Sequence, residues 1–232
     1  MSLAGQAVVA IWNGIAPEGR TEFYEWHNRE HMPERVSIPG FRRGRRYVAI
    51  SGTPEFFNLY EADTPDVLGG KDYLDRLNAP TEWTRRVVPS FRNVARSICR
   101  VAFTSGVGSG GVILTLRLDV DVADGNTAGA VAVEALTTQA LPPIALRKGI
   151  AGVHLCLADE AISNVETVEK KARADATLVP AWIVLIEGID ADVVRAAGEA
   201  LAPALRMHGA GAPESAIYRH EFTRGKTPES AG

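Results

Sequence analysis

Residues 20–47, RTEFYEWHNREHMPERVSIPGFRRGRRY, decide the fold and hold most of the chain's groups that can do chemistry. At 100° per residue, Tyr24, His27 and His31 fall on one narrow sector of a helix, which gives that helix an unusually polar inner face. Pro33 has no amide hydrogen for the carbonyl four residues earlier, so we expect the helix to be disturbed or to end near His31. A turn and a strand follow it.

Working outward from this stretch, the two halves of the chain show the same order of elements. Alternating and apolar runs predict strands at 7–13, 41–50, 55–62 and 91–103 in the first half, and at 112–120, 148–157, 180–188 and 215–223 in the second. Helical patterns lie at 21–31, 65–77, 127–140 and 191–206. Each half therefore reads β-α-β-β-α-β.

This order predicts an α+β fold built from a tandem duplication of a ferredoxin-like unit. The Gly-Ser-rich segment 104–111 is the expected linker, which gives one repeat at 1–104 and a second, degenerate repeat at 112–224 with a charged insertion at about 159–177. The unit leaves one face of its antiparallel sheet open. We expect the two sheets to cover each other by packing as an α+β barrel.

Composition excludes several classes of protein. The 232 residues are 46% hydrophobic with a net charge of −3, so bulk charge gives no reason to expect nucleic acid or an anionic membrane as a partner. No run approaches the roughly 18–20 apolar residues of a membrane helix, and no signal peptide is visible, so a cytoplasmic location is expected. Cys99 and Cys156 are predicted to be buried free thiols.

The stretch FYEWHNREHMP, followed by IPGF and RRY, resembles the EthD-like branch of the dimeric α+β-barrel superfamily, in an uncharacterised bacterial subgroup. The matching residues are Phe23, Trp26, His31, Pro33, Pro39, Gly40 and Tyr47. His27 stands where the family often has a second aromatic residue. The resemblance covers residues 1–103, and the second half matches in element order only because its first helix has no histidine.

The resemblance implies a barrel and an enzyme that acts on a small aromatic or polyketide-like molecule by acid/base or oxygen-dependent chemistry, without metal or organic cofactor. A monooxygenase, a decarboxylase and an isomerase are all consistent with it. The expected partner is a small-molecule ligand, and a homodimer formed through surfaces outside the barrel remains an open alternative.

The same stretch supplies the candidate catalytic residues. His31 is the expected acid/base, since an imidazole titrates near neutral pH, and Glu34 lies where it could orient the ring. His27 is a second candidate base. Tyr47 is expected to orient an oxygen atom of the substrate.

Alternation along the second and third strands predicts which residues surround the ligand. It assigns Arg45, Tyr47, Asn58 and Tyr60 to the barrel interior, and Val48, Ile50, Phe57 and Leu59 to the core under the helices. Arg45 would then hold negative charge and Asn58 would help to orient the substrate, while Tyr60 contacts its ring. Trp26 and Trp83 are expected to shape the pocket.

Two other functions fit the sequence. His27, Glu30 and His31 complete the H-x-x-E-H pattern of a zinc hydrolase, in which a third ligand would come from Glu61, Asp72, Asp75 or Glu82. A non-catalytic small-molecule-binding or assembly protein predicts instead that His31 is hydrogen-bonded to backbone and that no open cavity reaches it. The EthD-like enzyme, in contrast to both, predicts that His31 is required for turnover and that no metal is bound.

Overall fold

The computed structural model describes residues 3–119, 127–208 and 211–227, in which eight antiparallel strands close into one barrel. The strands are β1 (Ala7–Ile15), β2 (Phe41–Ser51), β3 (Phe56–Ala62), β4 (Phe91–Gly106), β5 (Val112–Leu118), β6 (Ile150–Ala158), β7 (Trp182–Gly188) and β8 (Glu214–Gly225). Every strand predicted from the sequence is present, although residue 120 of the fifth lies outside the described residues.

Helices cover the outer face of the barrel. They are α1 (Arg20–Trp26), α2 (Met32–Ser37), α3 (Pro65–Gly69), α4 (Lys71–Asn78), α5 (Glu82–Val87), α6 (Thr127–Ala135), α7 (Leu141–Ala145), α8 (Glu160–Ser163), α9 (Val168–Lys171) and α10 (Ala191–Met207). In the described part of the chain no helix is both long and apolar enough to cross a membrane.

The two halves have the same strand order, β4-β1-β3-β2 and β8-β5-β7-β6. They join edge to edge where β2 pairs with β8 and β4 pairs with β6, so closure leaves no strand edge unpaired. The predicted α+β barrel of two antiparallel sheets is confirmed. The repeat boundaries 1–104 and 112–224 stay a prediction, and the second range includes 120–126 and 209–210, which lie outside the described residues.

The helix that carries the two histidines is disturbed near His31, as expected, but it does not end there. His27–His31 form a π turn between α1 and α2, and the amide of Met32 donates to the carbonyl of His27. This wider turn accommodates Pro33, which has no amide hydrogen and lies in the first turn of α2.

The second half repeats this irregularity. A π turn at Leu136–Ala140 precedes α7, in which Pro142 occupies the first turn. The helix continues past Pro142 because the π turn accommodates this proline, so the predicted stop before Pro142 is wrong. Both helices then lead into a strand through a glycine in the left-handed region, Gly40 at φ 84° and Gly149 at φ 82°.

The strand register keeps the predicted faces of β2 and reverses those of β3. Tyr47 lies opposite Phe57, and Arg46 lies opposite Asn58, and residues directly opposite in an antiparallel pair share a face. Arg45, Tyr47, Phe57 and Leu59 therefore point into the barrel, whereas Asn58 and Tyr60 face the helices, as do Val48 and Phe56. The error is a slip of one residue in pairing, which reverses every side chain of a strand.

The charged insertion of the second half folds onto the first half. It contains α8 and α9, and Ser163 exchanges hydrogen bonds with the backbone of Ile98 in β4. Farther along, the amide of Arg96 donates to the carbonyl of Leu178. The segment 159–177 therefore covers the helix-bearing face of β4, beside the π turn of the first helix.

Candidate functional site

A small cavity lies between the first helix and the outer face of the barrel. Its lining combines aromatic and titratable side chains: Trp26, His27, His31, Asn58, Tyr60, Phe91, Glu169 and Arg173, with Ile11 and Val88. The space open to the centre of a water-sized sphere is about 20 Å³, which is room for one water molecule. The site is therefore closed to a larger ligand in this conformation.

His27 is fixed by partners on both ring nitrogens. Nη1 of Arg46 lies 3.1 Å from Nδ1, and the hydroxyl of Tyr60 lies 3.2 Å from Nε2. Because a guanidinium only donates, Nδ1 accepts, and the proton of the neutral ring lies on Nε2, which donates to Tyr60. Burial, then the charges of His31 and Arg46, lowers the pKa of His27 well below its ordinary value, so the ring is neutral.

Arg46 is held in turn from several sides. Its Nε donates to Glu221 at 2.8 Å and its Nη1 donates to Asn28 at 2.8 Å. The guanidinium lies 4.6 Å from the ring centre of Tyr24, a cation–π distance. Arg46 thus links the first helix to β8 and sets the tautomer of His27.

His31 keeps an unused nitrogen. Its Nδ1 is buried and has no hydrogen-bond partner among the described residues. The ring lies 4.2 Å from that of Trp26, centre to centre. Burial, followed by the positive charges of Arg35 and Arg173, lowers the pKa of His31 well below 6.5, so His31 is also neutral and Nδ1 or Nε2 can accept a proton.

Tyr60 and Asn58 supply polar groups on the strand side of the cavity. The Tyr60 hydroxyl accepts from His27, so its own hydrogen is free to donate elsewhere, and burial raises the pKa of Tyr60, which keeps it protonated. Asn58 donates to Oδ1 of Asn13 at 2.9 Å, while its own Oδ1 is buried and has no hydrogen-bond partner in the described part of the chain.

Of the two tryptophans predicted to shape the pocket, Trp26 lines the cavity and Trp83 does not. Trp26 is buried, lines the cavity and donates from its indole to the Thr84 hydroxyl at 3.1 Å. Trp83 does not line the cavity, and its indole donates to Glu22 near the surface. Its predicted position in the pocket is therefore wrong.

Arg45 and Tyr47 belong to a different environment, the barrel interior. Arg45 makes a two-pronged contact with Glu187 at 2.9 and 3.1 Å and a further contact with Glu61 at 2.9 Å. Nε2 of His154 lies 3.4 Å from Glu187. The structure does not bring Arg45 and Tyr47 together with His31, so they are separate from the cavity.

The described side chains do not form the zinc site of the H-x-x-E-H alternative. Glu30 turns away from the histidines and accepts from the hydroxyl of Thr81 at 2.5 Å. Both nitrogens of His27 are engaged, and no three histidine, cysteine or carboxylate side chains converge within the described ranges. Glu34 contacts Arg35 instead of His31, so its predicted orienting role is wrong as well.

Solved structures of similar shape share the architecture. The chain is similar to an anthrone oxidase-like protein, with a TM-score of 0.63 and 15% identity over 97% of this chain and 95% of the other. It is also similar to a protein of Fusobacterium nucleatum subsp. nucleatum whose assignment as a monooxygenase is provisional (TM-score 0.56, 8% identity, covering 97% and 96%). The chain has the dimeric α+β-barrel fold.

A further similarity is to a variant of chlorite dismutase from Candidatus Nitrospira defluvii, with a TM-score of 0.56 and 10% identity over 94% of this chain and 92% of the other. No protein-family model and no curated protein sequence matches the chain. At such identities the likeness to solved structures shows the fold alone. The predicted fold is confirmed, while membership of the superfamily and of its EthD-like branch stays a prediction.

The second half of this dimeric α+β barrel is an internal reference for the site. Asn58 lies opposite Ile11 on β1 and opposite Arg46 on β2. The corresponding position on β7 is Val184, opposite a leucine on each side. By the same correspondence the apolar counterparts of His27, Arg46, Asn58 and Tyr60 are Leu136, Leu155, Val184 and Ile186, which belong to one hydrocarbon core.

Four charged residues in the site or next to it escaped prediction from the sequence. Arg35 and Arg96 come from the first half, and Glu169 and Arg173 come from the charged insertion. The available signal was the insertion itself, because a long charged segment that interrupts a repeat is typical of functional loops. Its position over the first half depends on tertiary contacts that no local pattern specifies.

Proposed function

We propose that the protein is an EthD-like enzyme in which His31 takes a proton from a small phenolic or enolisable aromatic molecule. The observation that carries this proposal is the contrast between the halves. The same helix-on-barrel layer is built from hydrocarbon in the second half, so folding does not require buried imidazole, guanidinium and amide groups in the first. Buried polar groups that lack hydrogen-bond partners lower the stability of the fold. Such groups are usually retained because they serve a function.

The lowered pKa of His31 suits a base that acts on a bound substrate. Burial keeps the ring neutral in the free protein, and the imidazolium that forms on proton transfer would be paired with the new substrate anion. The Tyr60 hydroxyl can then donate to the oxygen that carries negative charge. Trp26 and Phe91 provide flat surfaces for an aromatic ring.

Such a substrate anion can react with O₂ directly, because the anion itself supplies the electrons and no redox cofactor is needed. His31 removes a proton from an activated CH₂, and the electron pair stays on the ring system. The carbanion transfers electrons to O₂ and a C–O bond forms, giving a peroxide anion that takes the proton back from His31 and becomes a hydroperoxide. Cleavage of the O–O bond with loss of the second hydrogen gives C=O and water, so CH₂ and O₂ become C=O and H₂O. The similarity to an anthrone oxidase-like protein and to provisional monooxygenases supports this reaction class.

The binding-protein alternative predicts that His31 is hydrogen-bonded to backbone. The unpaired Nδ1 of His31 and its position on the cavity favour catalysis instead. The closed cavity agrees with the other expectation of that alternative, that no open cavity reaches His31, and catalysis requires the cavity to open.

Replacing His31 tests the proposal. We expect His31→Asn, which retains a polar group near Nδ1 but cannot take a proton, to lower turnover of anthrone roughly 100-fold or more. Oxygen uptake and product formation would be measured together with substrate affinity, which should change little. His208→Gln, at the end of α10, is the control. Turnover by His31→Asn equal to that of the wild type contradicts the assigned role.

A further inference from the structure

Three arginines are buried together where the 159–177 segment packs on the first half. Arg35 is 3% exposed and Arg96 is 7% exposed, while the side chain of Arg173 is 7% exposed. They come from α2, from β4 and from the residues just after α9. Burying guanidinium groups is costly unless anions or hydrogen bonds compensate them.

The carboxylates around this cluster do not balance its charge. Arg35 engages Glu169 and also donates to Glu34 at 3.1 Å. Arg173 lies 3.7 Å from Glu169 and donates to the Thr177 hydroxyl.

Arg96 has a weaker set of partners still. Its Nη2 donates to the Tyr73 hydroxyl at 3.0 Å, and none of the described carboxylates lies within ion-pairing distance of it. Arg96 and Arg173 therefore share a surplus of positive charge, with Glu169 as a partial counterion already held by Arg35.

Arg173 connects this surplus charge to the candidate active site. It borders the cavity beside His31 and a second small cavity, whose lining includes Arg96, Thr167 and Lys170. Burial, with the positive charges of Arg96 and Arg35, lowers the pKa of Arg173 to about 10 against the opposing effect of Glu169. An anion placed here would be stabilised by two guanidinium groups at once.

We propose that Arg96 and Arg173 bind a carboxylate of the substrate, so that the enzyme prefers aromatic substrates that carry a carboxylate. This rests on the proposed function for the position of the aromatic ring beside His31. The carboxylate lies between the two guanidinium groups, and the ring extends toward Trp26 and Phe91. Glu169 moderates the positive charge while the site is empty.

A matched pair of ligands tests the charge preference without turnover. The probes are salicylate and salicylamide, which differ chiefly in the carboxylate, measured by calorimetry with the full-length protein. We expect salicylate to bind about tenfold more tightly or better, as one hydrogen bond to a charged group implies. Equal affinities, or no detectable binding of salicylate up to its solubility limit, would overturn the proposal.

Variants locate the preference. Arg173→Met and Arg96→Met should bring the affinity ratio close to one, and Arg173→Lys should retain part of it. Arg76→Met, an exposed arginine on α4, is the control and should leave the ratio unchanged. A ratio in both methionine variants equal to that of the wild type contradicts the assignment, and circular dichroism confirms that each variant is folded.

Glu169→Gln gives a test with the opposite sign. Removing the internal counterion should strengthen salicylate binding several-fold, even though it weakens the packing of the segment around Arg35. A purely structural cluster predicts no gain in affinity. The two proposals fail separately: an unaltered rate in His31→Asn rejects the base, whereas equal binding of the two probes rejects only the carboxylate site.

Discussion

The surroundings of His31 decide its chemistry at the scale of single residues. Two buried arginines and the loss of water both disfavour the imidazolium, so a proton arrives only when a negative charge forms next to it. His27, four residues earlier, cannot take this role because Arg46 and Tyr60 occupy its nitrogens. The two histidines lie on one helix face, but hydrogen bonds from β2 and β3 engage both nitrogens of His27 and leave Nδ1 of His31 available.

Asn13 and Asn58 allow the cost of the polar site to be measured. Their counterparts in the second half are Leu118 and Val184, so Asn13→Leu with Asn58→Val copies a layer that already folds. We expect the double variant to be as stable as the wild type or more stable, by about 0–2 kcal/mol, because both partners of a buried hydrogen bond are replaced together. Urea unfolding measures this free energy.

The single variant Asn58→Val provides the comparison. It leaves Oδ1 of Asn13 buried without its donor, so we expect a loss of roughly 1–3 kcal/mol. If the double variant were destabilised as strongly as the single one, the polar pair would be part of the fold, and the contrast between the halves would lose its functional meaning.

At the scale of elements, sequence periodicity predicted where the strands and helices lie, whereas strand register determined which side chains of a strand face the helices. The strands, the shared face of His27 and His31 and the correspondence of Gly40 with Gly149 all follow from local patterns. The π turn does not, since it depends on how the helix accommodates Pro33. Nor does the face of Asn58, because strand alternation gives two sets of side chains and only the pairing partner shows which set points inward.

Because the cavity has room for about one water molecule, its walls must move for an aromatic ligand to enter, and we expect the 159–177 segment to be the part that moves. Its helices α8 and α9 have four residues each, far below the length at which a helix is stable alone. We therefore expect the amides of 168–173 to exchange hydrogen faster than those of β1, and to slow when salicylate is bound. Helix α10 is the control and should not respond. Exchange as slow as that of β1 without ligand would contradict this opening.

At the scale of the whole molecule, one chain closes its own barrel. The strand pairs β2–β8 and β4–β6 join the two halves of the chain into a closed barrel, so barrel closure does not require a second copy. We propose that the halves are copies of one unit that diverged, the first carrying the site and the second a hydrocarbon core. Assembly into a homodimer would then use other surfaces and stays a prediction.

The ion pair of Arg45 with Glu187 links these halves inside the barrel, and Glu61 and His154 complete the cluster. Burial alone would raise the pKa of Glu187, but the hydrogen bond from His154 and the charge of Arg45 outweigh it and lower the pKa to about 2. The ordinary value is 4.5, so the folded state holds this carboxylate ionised more firmly than the unfolded state does.

The stabilisation from Glu187 is therefore complete above pH 4.5 and is lost as the pH falls from 4.5 toward 2. A shift of this size corresponds to about 3 kcal/mol. We expect Glu187→Gln to unfold more easily at pH 7 and to lose less further stability than the wild type as the pH falls through this window, as measured by urea unfolding at a series of pH values. Glu166→Gln, an exposed carboxylate, should follow the wild type. Parallel acid profiles for Glu187→Gln and the wild type would mean that this buried pair does not hold the two halves together.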